Sequence, residues 1–224
     1  MKSGKTLGII GTIGSGKTTL ANLLLRLYPV PNGKILIDGK DINDIPLTDL
    51  RKSICYITQD SFLFSSTIKE NISIFKEGFN DDDINDSIKK SAIYDEVKQM
   101  KNGIDTIIGE RGVDLSGGQK QRIAISRAFL LRSNIVIFDD TFSALDNKTE
   151  EHVIKNIEEL CKDKTCIIIS NRISDIKNAD EIIVLDEGEI IQKGTHEELL
   201  REDGLYKKFY NQQSSKEEVF ENEE

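Results

Sequence analysis

The sequence predicts an α/β fold with a mostly parallel sheet and a helical block inserted between its strands. Three observations carry that prediction. Short apolar runs (Leu7–Ile10, Ile54–Ile57, Ile135–Phe138 and Cys166–Ile169) alternate with segments of helical spacing, the pattern of strands joined by crossovers. The first run passes directly into a glycine-rich turn and then a helix. Finally, residues from about 76 to 131 form a block of two helical segments joined by a loop.

Taken in order, Leu7-Gly8-Ile9-Ile10 reads as a short buried strand, and Gly11-Thr12-Ile13-Gly14-Ser15-Gly16-Lys17-Thr18 follows it. This stretch fits G-x-x-x-x-G-K-[ST] at every fixed position. Thr19 continues it into a helix, where Leu20, Leu23, Leu24 and Leu27 share one face. Strand, glycine loop and helix together turn the pattern into a phosphate-binding site. Its glycines let successive N–H groups converge on an anion, and the positive end of the new helix faces the same point. Lys17 is then placed to neutralise phosphate charge, and Thr18 to offer a hydroxyl to Mg²⁺.

Pro29 to Gly33 is a turn, Lys34 to Gly39 a strand ending in glycine, and Leu47 to Lys52 a helical turn capped by Thr48. Thr58-Gln59-Asp60 leaves the end of the strand at Ile54–Ile57. Asn80 to Asp83 opens one helix that keeps Ile84, Ile88, Ala92 and Val97 inward and closes at Asn102-Gly103. From there to Asp114 the chain reads as loop. A second glycine turn at Ser116-Gly117-Gly118 opens the helix from Gln119 to about Leu130. Glycine amides and a serine hydroxyl at a helix start form an anion reader. An ordinary capped helix start is the competing reading.

Ile135–Phe138 runs into Asp139-Asp140, and Glu150 to Leu160 is helical with Val153, Ile154 and Ile157 inward. Ile182–Leu185 and Glu189–Ile191, joined by Asp186-Glu187-Gly188, read as a hairpin. Thr195 with Glu198 forms a capping box for a final helix. From Asn211 the chain is polar and acidic, with the composition of a disordered tail.

At 224 residues with a net charge of −9, the chain has the length of one domain with a sizeable core. It lacks the basic face of a nucleic-acid binder. Cys55, Cys161 and Cys166 are odd in number and show no C-x-x-C spacing, which reads as buried or bystander thiols in a reducing compartment. No apolar run approaches the length needed to span a bilayer. His152, His196 and the Asp81-Asp82-Asp83 run lack ligand spacing and read as structural.

Gly11–Thr18, Gln59, Leu115-Ser116-Gly117-Gly118-Gln119, Ile135–Asp139 and Ser143-Ala144-Leu145-Asp146 occur in the order and spacing of one family. With these motifs the chain, from Leu7 to about Tyr210, resembles the nucleotide-binding domain of ABC transporters. Ile68–Ile72 and Ile104–Gly112 are similar to the exporter-type members. The resemblance implies a P-loop NTPase (RecA-like) core over about 1–75 and 132–210. It also implies a small antiparallel β part, truncated at the N-terminus, and a helical subdomain over about 76–131, with 211–224 as the tail. It implies ATP and Mg²⁺ as ligands, and head-to-tail pairing with a second such domain. A partner transmembrane domain would hold the chain at the cytoplasmic face of a membrane.

By the same resemblance, Gly11, Thr12, Ile13, Gly14, Ser15, Gly16, Lys17, Thr18 and Thr19 hold ATP, while Thr18, Gln59 and Asp139 serve Mg²⁺. Ser116, Gly117, Gly118 and Gln119 grip the partner's ATP, and Asp146 orders the dimer seam. Gln59, Asp140 and Asn171 take the catalytic positions. Asp140 stands where the family has Glu, and Asn171 where it has His. Asp140 has a shorter arm, and Asn171 cannot carry charge. Both changes fall in this chain's own half-site while its signature is intact. That asymmetry resembles the weak half of a heterodimeric exporter.

Alternatives are an ATP-gated dimerisation module whose own hydrolysis is dispensable, and a homodimeric ABC ATPase. A chromosome-maintenance or translation ATPase of the same superfamily would need a long coiled coil or a second copy of the domain, and the sequence carries neither. Only Met1 to Thr6 precede the first strand, with no aromatic to stack on adenine. The resemblance therefore implies that these residues are the C-terminal part of a longer half-transporter.

Overall fold

The computed structural model describes residues 1–110 and 112–221. Arg111, in the stretch similar to exporters, and residues 222–224 of the acidic end lie outside them. In chain order the elements are β1 (Thr6–Gly11), α1 (Lys17–Leu24), β2 (Leu36–Ile37), β3 (Lys40–Asp41), α2 (Leu47–Ser53) and β4 (Ile54–Ile57). α3 (Ile68–Ser73), α4 (Asp81–Lys90), α5 (Tyr94–Gln99), α6 (Gly117–Leu130), β5 (Ile135–Asp139) and α7 (Asn147–Cys161) follow. The chain continues through β6 (Thr165–Ile169), β7 (Glu181–Asp186), β8 (Glu189–Gly194), α8 (His196–Arg201) and α9 (Leu205–Glu221). The architecture is mixed α/β, and it forms two compact units, residues 1–52 with 165–224 and residues 53–164.

In the first unit β1 lies between β6 and β7, parallel to both, with Ile9 opposite Ile169 on one side and Ile183 on the other. A strand with parallel neighbours is covered on both faces, so β1, β6 and β7 are runs of Ile, Val and Leu with buried centres rather than alternating strands. β8 returns antiparallel on β7 through the expected hairpin, with an irregularity between Val184 and Leu185. The strand expected over Lys34–Gly39 shrinks to the antiparallel pair β2–β3, two residues each. Thr48 does not cap α2: the helix starts at Leu47, and the Pro46 carbonyl accepts from Asp49 and Leu50 N–H. Proline suits a helix start because it has no N–H to leave unpaired.

In the second unit β4 and β5 are parallel, from Ile54 opposite Ile135 to Ile57 opposite Phe138. α3 to α6 share one apolar cluster built on Ile68, Ile72, Ile84, Ile88, Ile123 and Leu130. α3 has no counterpart in the expected elements. Its start is fixed by a capping box between Thr67 and Glu70. The single helix expected after Asn80 is two: Asn80 caps α4 as anticipated, but Ala92 takes a left-handed conformation (φ 59°) and ends it. α5 then begins at Tyr94, and its Val97 still reaches the same cluster.

The cysteines correct the sequence expectation. Cys161 and Cys166 are each disulfide-bonded, and only Cys55 is a free thiol. An odd total does not exclude disulfide-bonded members, and neither cysteine stands in a C-x-x-C spacing. Cys55 is buried on β4, and burial pushes its pKa up to about 11. α9 runs through Glu221, into the stretch expected as tail.

Candidate functional site

Gly11–Thr18 leaves the C-terminal end of β1, the edge of a parallel sheet where ligands characteristically bind. A Cβ at residue 11 would overlap the Leu185 carbonyl and the Ser15 hydroxyl, so only glycine fits there. Gly16 sits at the start of α1 with φ 98° and no side-chain cap. Lys17 Nζ donates to the carbonyls of Gly11 and Thr12, both at 2.9 Å, and its ammonium is thereby held over the loop.

The β7–β8 turn braces the loop. Thr12 Oγ1 donates to Asp186 Oδ1 at 2.7 Å, and Gly188 N–H donates to the Ser15 carbonyl at 3.2 Å. The loop fits a phosphate group on the state of Ser15. Ser15 is 2% exposed, and its hydroxyl is buried without a hydrogen-bond partner among the described residues. A buried hydroxyl with no partner is costly, and an anion accepting from it removes that cost. Ile13, at the crest of the loop, is 98% exposed.

Asn171 lies on the same edge of the same unit. β6 ends at Ile169, and Ser170 N–H donates to the Ile9 carbonyl at 3.1 Å, so Asn171 follows immediately beyond the strand next to β1. The Ser170 hydroxyl is buried and donates to Asp175 Oδ2, while accepting from Arg172 N–H at 2.9 Å. The Asn171 side chain is exposed.

In the second unit β4 and β5 are parallel, so Gln59, Asp139 and Asp140 leave the same strand ends. Asp139 is 2% exposed and accepts from the Tyr56 hydroxyl at 2.8 Å. Burial, and then that bond to a carboxylate, hold the Tyr56 pKa well above the ordinary tyrosine value. Gln59 Nε2 donates to Asp140 Oδ2 at 3.0 Å, so the two side chains are in direct contact. Asp140 itself takes a left-handed backbone conformation (φ 48°), which Asp tolerates better than most residues. Within this unit the Asp139 carboxylate and the Gln59 amide oxygen are hard donors of the kind Mg²⁺ takes, and Mg²⁺ retains most of its waters. Among the described residues no group of three or more His, Cys, Asp or Glu forms a protein-only metal cage.

Ser116–Gln119 opens α6, two residues earlier than expected, at Gly117. Ser116 Oγ accepts from Gln119 N–H at 3.2 Å, and Gln119 Oε1 accepts from Ser116 N–H at 2.9 Å. Gln119 Nε2 donates to Glu96, which Arg122 also holds at 2.9 and 3.0 Å. The ordinary helix-cap reading of Ser116 is therefore part of the truth. Its neighbours Gly117 and Gly118 contribute amides to the same helix start. Asp146 caps α7, accepting from Thr149 N–H at 3.0 Å.

Sequence reasoning missed Tyr56, Asp186, Gln121 and Arg127. Gln121 Oε1 accepts from Ala144 N–H at 3.0 Å, within the Ser143–Asp146 stretch. Arg127 of α6 donates to the carbonyls of Asn71 and Phe62, just after Gln59. None of these residues stands inside a motif.

The family model described as ABC transporter matches residues 1–143. The chain is 44% identical over 207 residues to an ATP-dependent lipid A-core flippase of Photobacterium profundum, covering 92% of this chain and 35% of that protein. It is 40% identical over 217 residues to ABC transporter B family member 24, mitochondrial, of Arabidopsis thaliana, covering 97% and 32%. A bacterial Atm1-family ABC exporter solved with ATP bound superposes with a TM-score of 0.90 at 40% identity, covering 94% of this chain and 37% of that one. The chain thus spans about a third of the length of these relatives. It belongs to the ABC transporter family, as an ATP-binding domain of the ATPase kind that exporters carry.

Proposed function

We propose that this chain binds ATP with Mg²⁺, pairs head to tail with a second domain of its kind, and powers a membrane exporter from the cytoplasmic face. Its own site turns ATP over slowly, while Ser116, Gly117, Gly118 and Gln119 complete a competent site on a different partner chain. The relatives support the exporter assignment, one being a flippase and the solved one an exporter. No helix among the described residues is long and apolar enough to cross a membrane. In this reading a transmembrane domain outside these residues does the spanning.

The loop amides of Gly14 to Thr19 and the Lys17 ammonium bind the phosphates, and Thr18, Asp139 and Gln59 hold Mg²⁺, which neutralises phosphate charge when bound. Phosphoryl transfer is largely positioning and neutralisation of spreading charge. Gln59 and Asp140, tied to one another at 3.0 Å, orient the attacking water. Asn171 donates to the γ-phosphate.

The observation that carries the slow-site assignment is the coexistence of an intact, reciprocally capped signature turn with Asp140 and Asn171. Asp140 reaches one methylene less far than Glu, and a misplacement near 1 Å costs about 10²-fold. Asn171 donates without charge, and loss of a charge-stabilising donor costs about 10²–10³-fold. The purified chain alone should therefore hydrolyse ATP slowly. Asp140→Glu combined with Asn171→His should raise turnover by at least about tenfold. Brisk hydrolysis by the unmodified chain would refute the assignment and favour a homodimer of competent sites.

A further inference from the structure

The loop that carries Asn171 is held from outside by the last helix. Gln213 of α9 places its side-chain amide against two backbone groups. Its Nε2 donates to the Asn171 carbonyl at 2.8 Å, and its Oε1 accepts from Ile173 N–H at 2.8 Å. An amide that donates to residue i and accepts from residue i+2 bonds the segment as a neighbouring strand would. Both partners are backbone, so the contact fixes the path of the chain through Asn171-Arg172-Ile173 rather than any one side chain.

The other side of the loop is equally held, by Ser170 Oγ accepting from Arg172 N–H at 2.9 Å and bonding the buried Asp175. Asn171 is the exception: its exposed side chain makes no hydrogen bond among the described residues. A held backbone presenting one unengaged polar side chain is the arrangement of a preorganised donor.

α9 has its own anchor two turns earlier on the same face. Tyr206 is fully buried, its N–H donates to Gln192 Oε1 at 3.0 Å, and its hydroxyl lies 2.7 Å from His196 Nδ1. Residues seven apart share a helix face, so the helix transfers the position of β8 and α8 to Gln213.

We infer that Gln213 is a positioning residue for Asn171: it sets the loop so that the Asn171 amide meets the terminal phosphate of ATP. This rests on the reading of Asn171 as a γ-phosphate donor. Gln213 itself touches no substrate. Discrimination of ATP from ADP at this site then depends on a helix far along the chain from both the phosphate loop and the signature.

The test uses the full-length protein in its membrane assembly, with Gln213→Met, Asn171→Ala and the double variant. Methionine keeps the length and helix propensity of glutamine but removes both bonds. The readouts are ATP and ADP affinities by competition with a fluorescent nucleotide, and hydrogen exchange at the amides of residues 171–173. Gln213→Met should speed that exchange and shrink the preference for ATP over ADP by about 3- to 10-fold, the range one or two lost hydrogen bonds carry. ADP affinity should stay within about twofold, because the phosphate loop alone holds the first two phosphates. In the Asn171→Ala background Gln213→Met should add little.

An equal effect of Gln213→Met in both backgrounds would mean a merely structural role and overturn the inference. An unchanged ATP preference in Gln213→Met, with a reduced one in Asn171→Ala, overturns the inference alone. An unchanged preference in Asn171→Ala overturns the γ-phosphate reading and the inference with it.

Discussion

Asp186 offers a direct measure of how far the hairpin, rather than the glycine loop itself, shapes the nucleotide site. Its Oδ1 accepts from Thr12 Oγ1 at 2.7 Å, a charge-assisted bond between partly buried groups. Such bonds contribute about 1.5–3 kcal/mol, and partial exposure places this one at the lower end, about 1.5 kcal/mol. Asp186→Ala frees one side of the loop, and an unbraced loop spends part of its time in shapes that cannot bind. If the whole of that energy resists loop excursions, ATP affinity falls by about tenfold, and less if the Gly188 bond to Ser15 holds the loop alone. Thr12→Val should produce a similar loss. The double variant Thr12→Val/Asp186→Ala should be no worse than either single one, with a coupling energy of about 1–1.5 kcal/mol. Isothermal titration with ATP under non-hydrolysing conditions measures all four corners of the cycle. Strictly additive losses would show that the two side chains act independently and would refute the strut.

Other outcomes follow from single contacts. Ser116→Ala should lower unfolding free energy by about 1 kcal/mol in urea melts, the usual cost of a lost helix cap. Tyr56→Phe should weaken Mg²⁺-dependent nucleotide binding while leaving Mg²⁺-free binding intact, because the lost hydroxyl serves Asp139 and not the loop. Alkylation of the native protein at pH 8 should leave Cys55 unmodified, since burial holds its thiol near 11, and unfolding in denaturant should expose it to rapid labelling. The Asp146 carboxylate is held below its ordinary pKa by the Thr149 side chain and amide. The α7 cap is therefore fully present above the unfolded value near 4 and is lost as pH falls through the depressed folded value. Asp146→Asn should flatten the acid limb of thermal stability below about pH 4.

The nucleotide loop and the signature turn are legible because each is local. Gly11–Thr18 and Ser116–Gln119 are defined by neighbours within a few residues, and the backbone geometry that makes them anion readers is a property of glycine and of helix starts. The buried strands are legible for a related reason: β1, β5 and β6 lie where continuous apolar runs leave no other assignment. α3 escaped because six residues are too few to show a period, although Thr67 and Glu70 carried its capping box. The break at Ala92 escaped because alanine is a good helix former, and only tertiary packing of α5 imposes a left-handed turn on it. Tyr56 reaches Asp139 across 83 positions and Thr12 reaches Asp186 across 174. No periodicity or motif records a contact of that separation. The same holds for Gln213, which a polar, acidic stretch disguised as tail.

The seat of Gly11 has a consequence for variation. What would exclude a side chain there is the peptide carbonyl of Leu185 as well as the Ser15 hydroxyl. Exchanging Leu185 for any smaller residue leaves that oxygen in place, so no compensating change on β7 can open room at position 11. In a saturation library of both positions, residue 185 should tolerate a range of apolar substitutes while residue 11 returns glycine in every functional clone, whatever its neighbour has become.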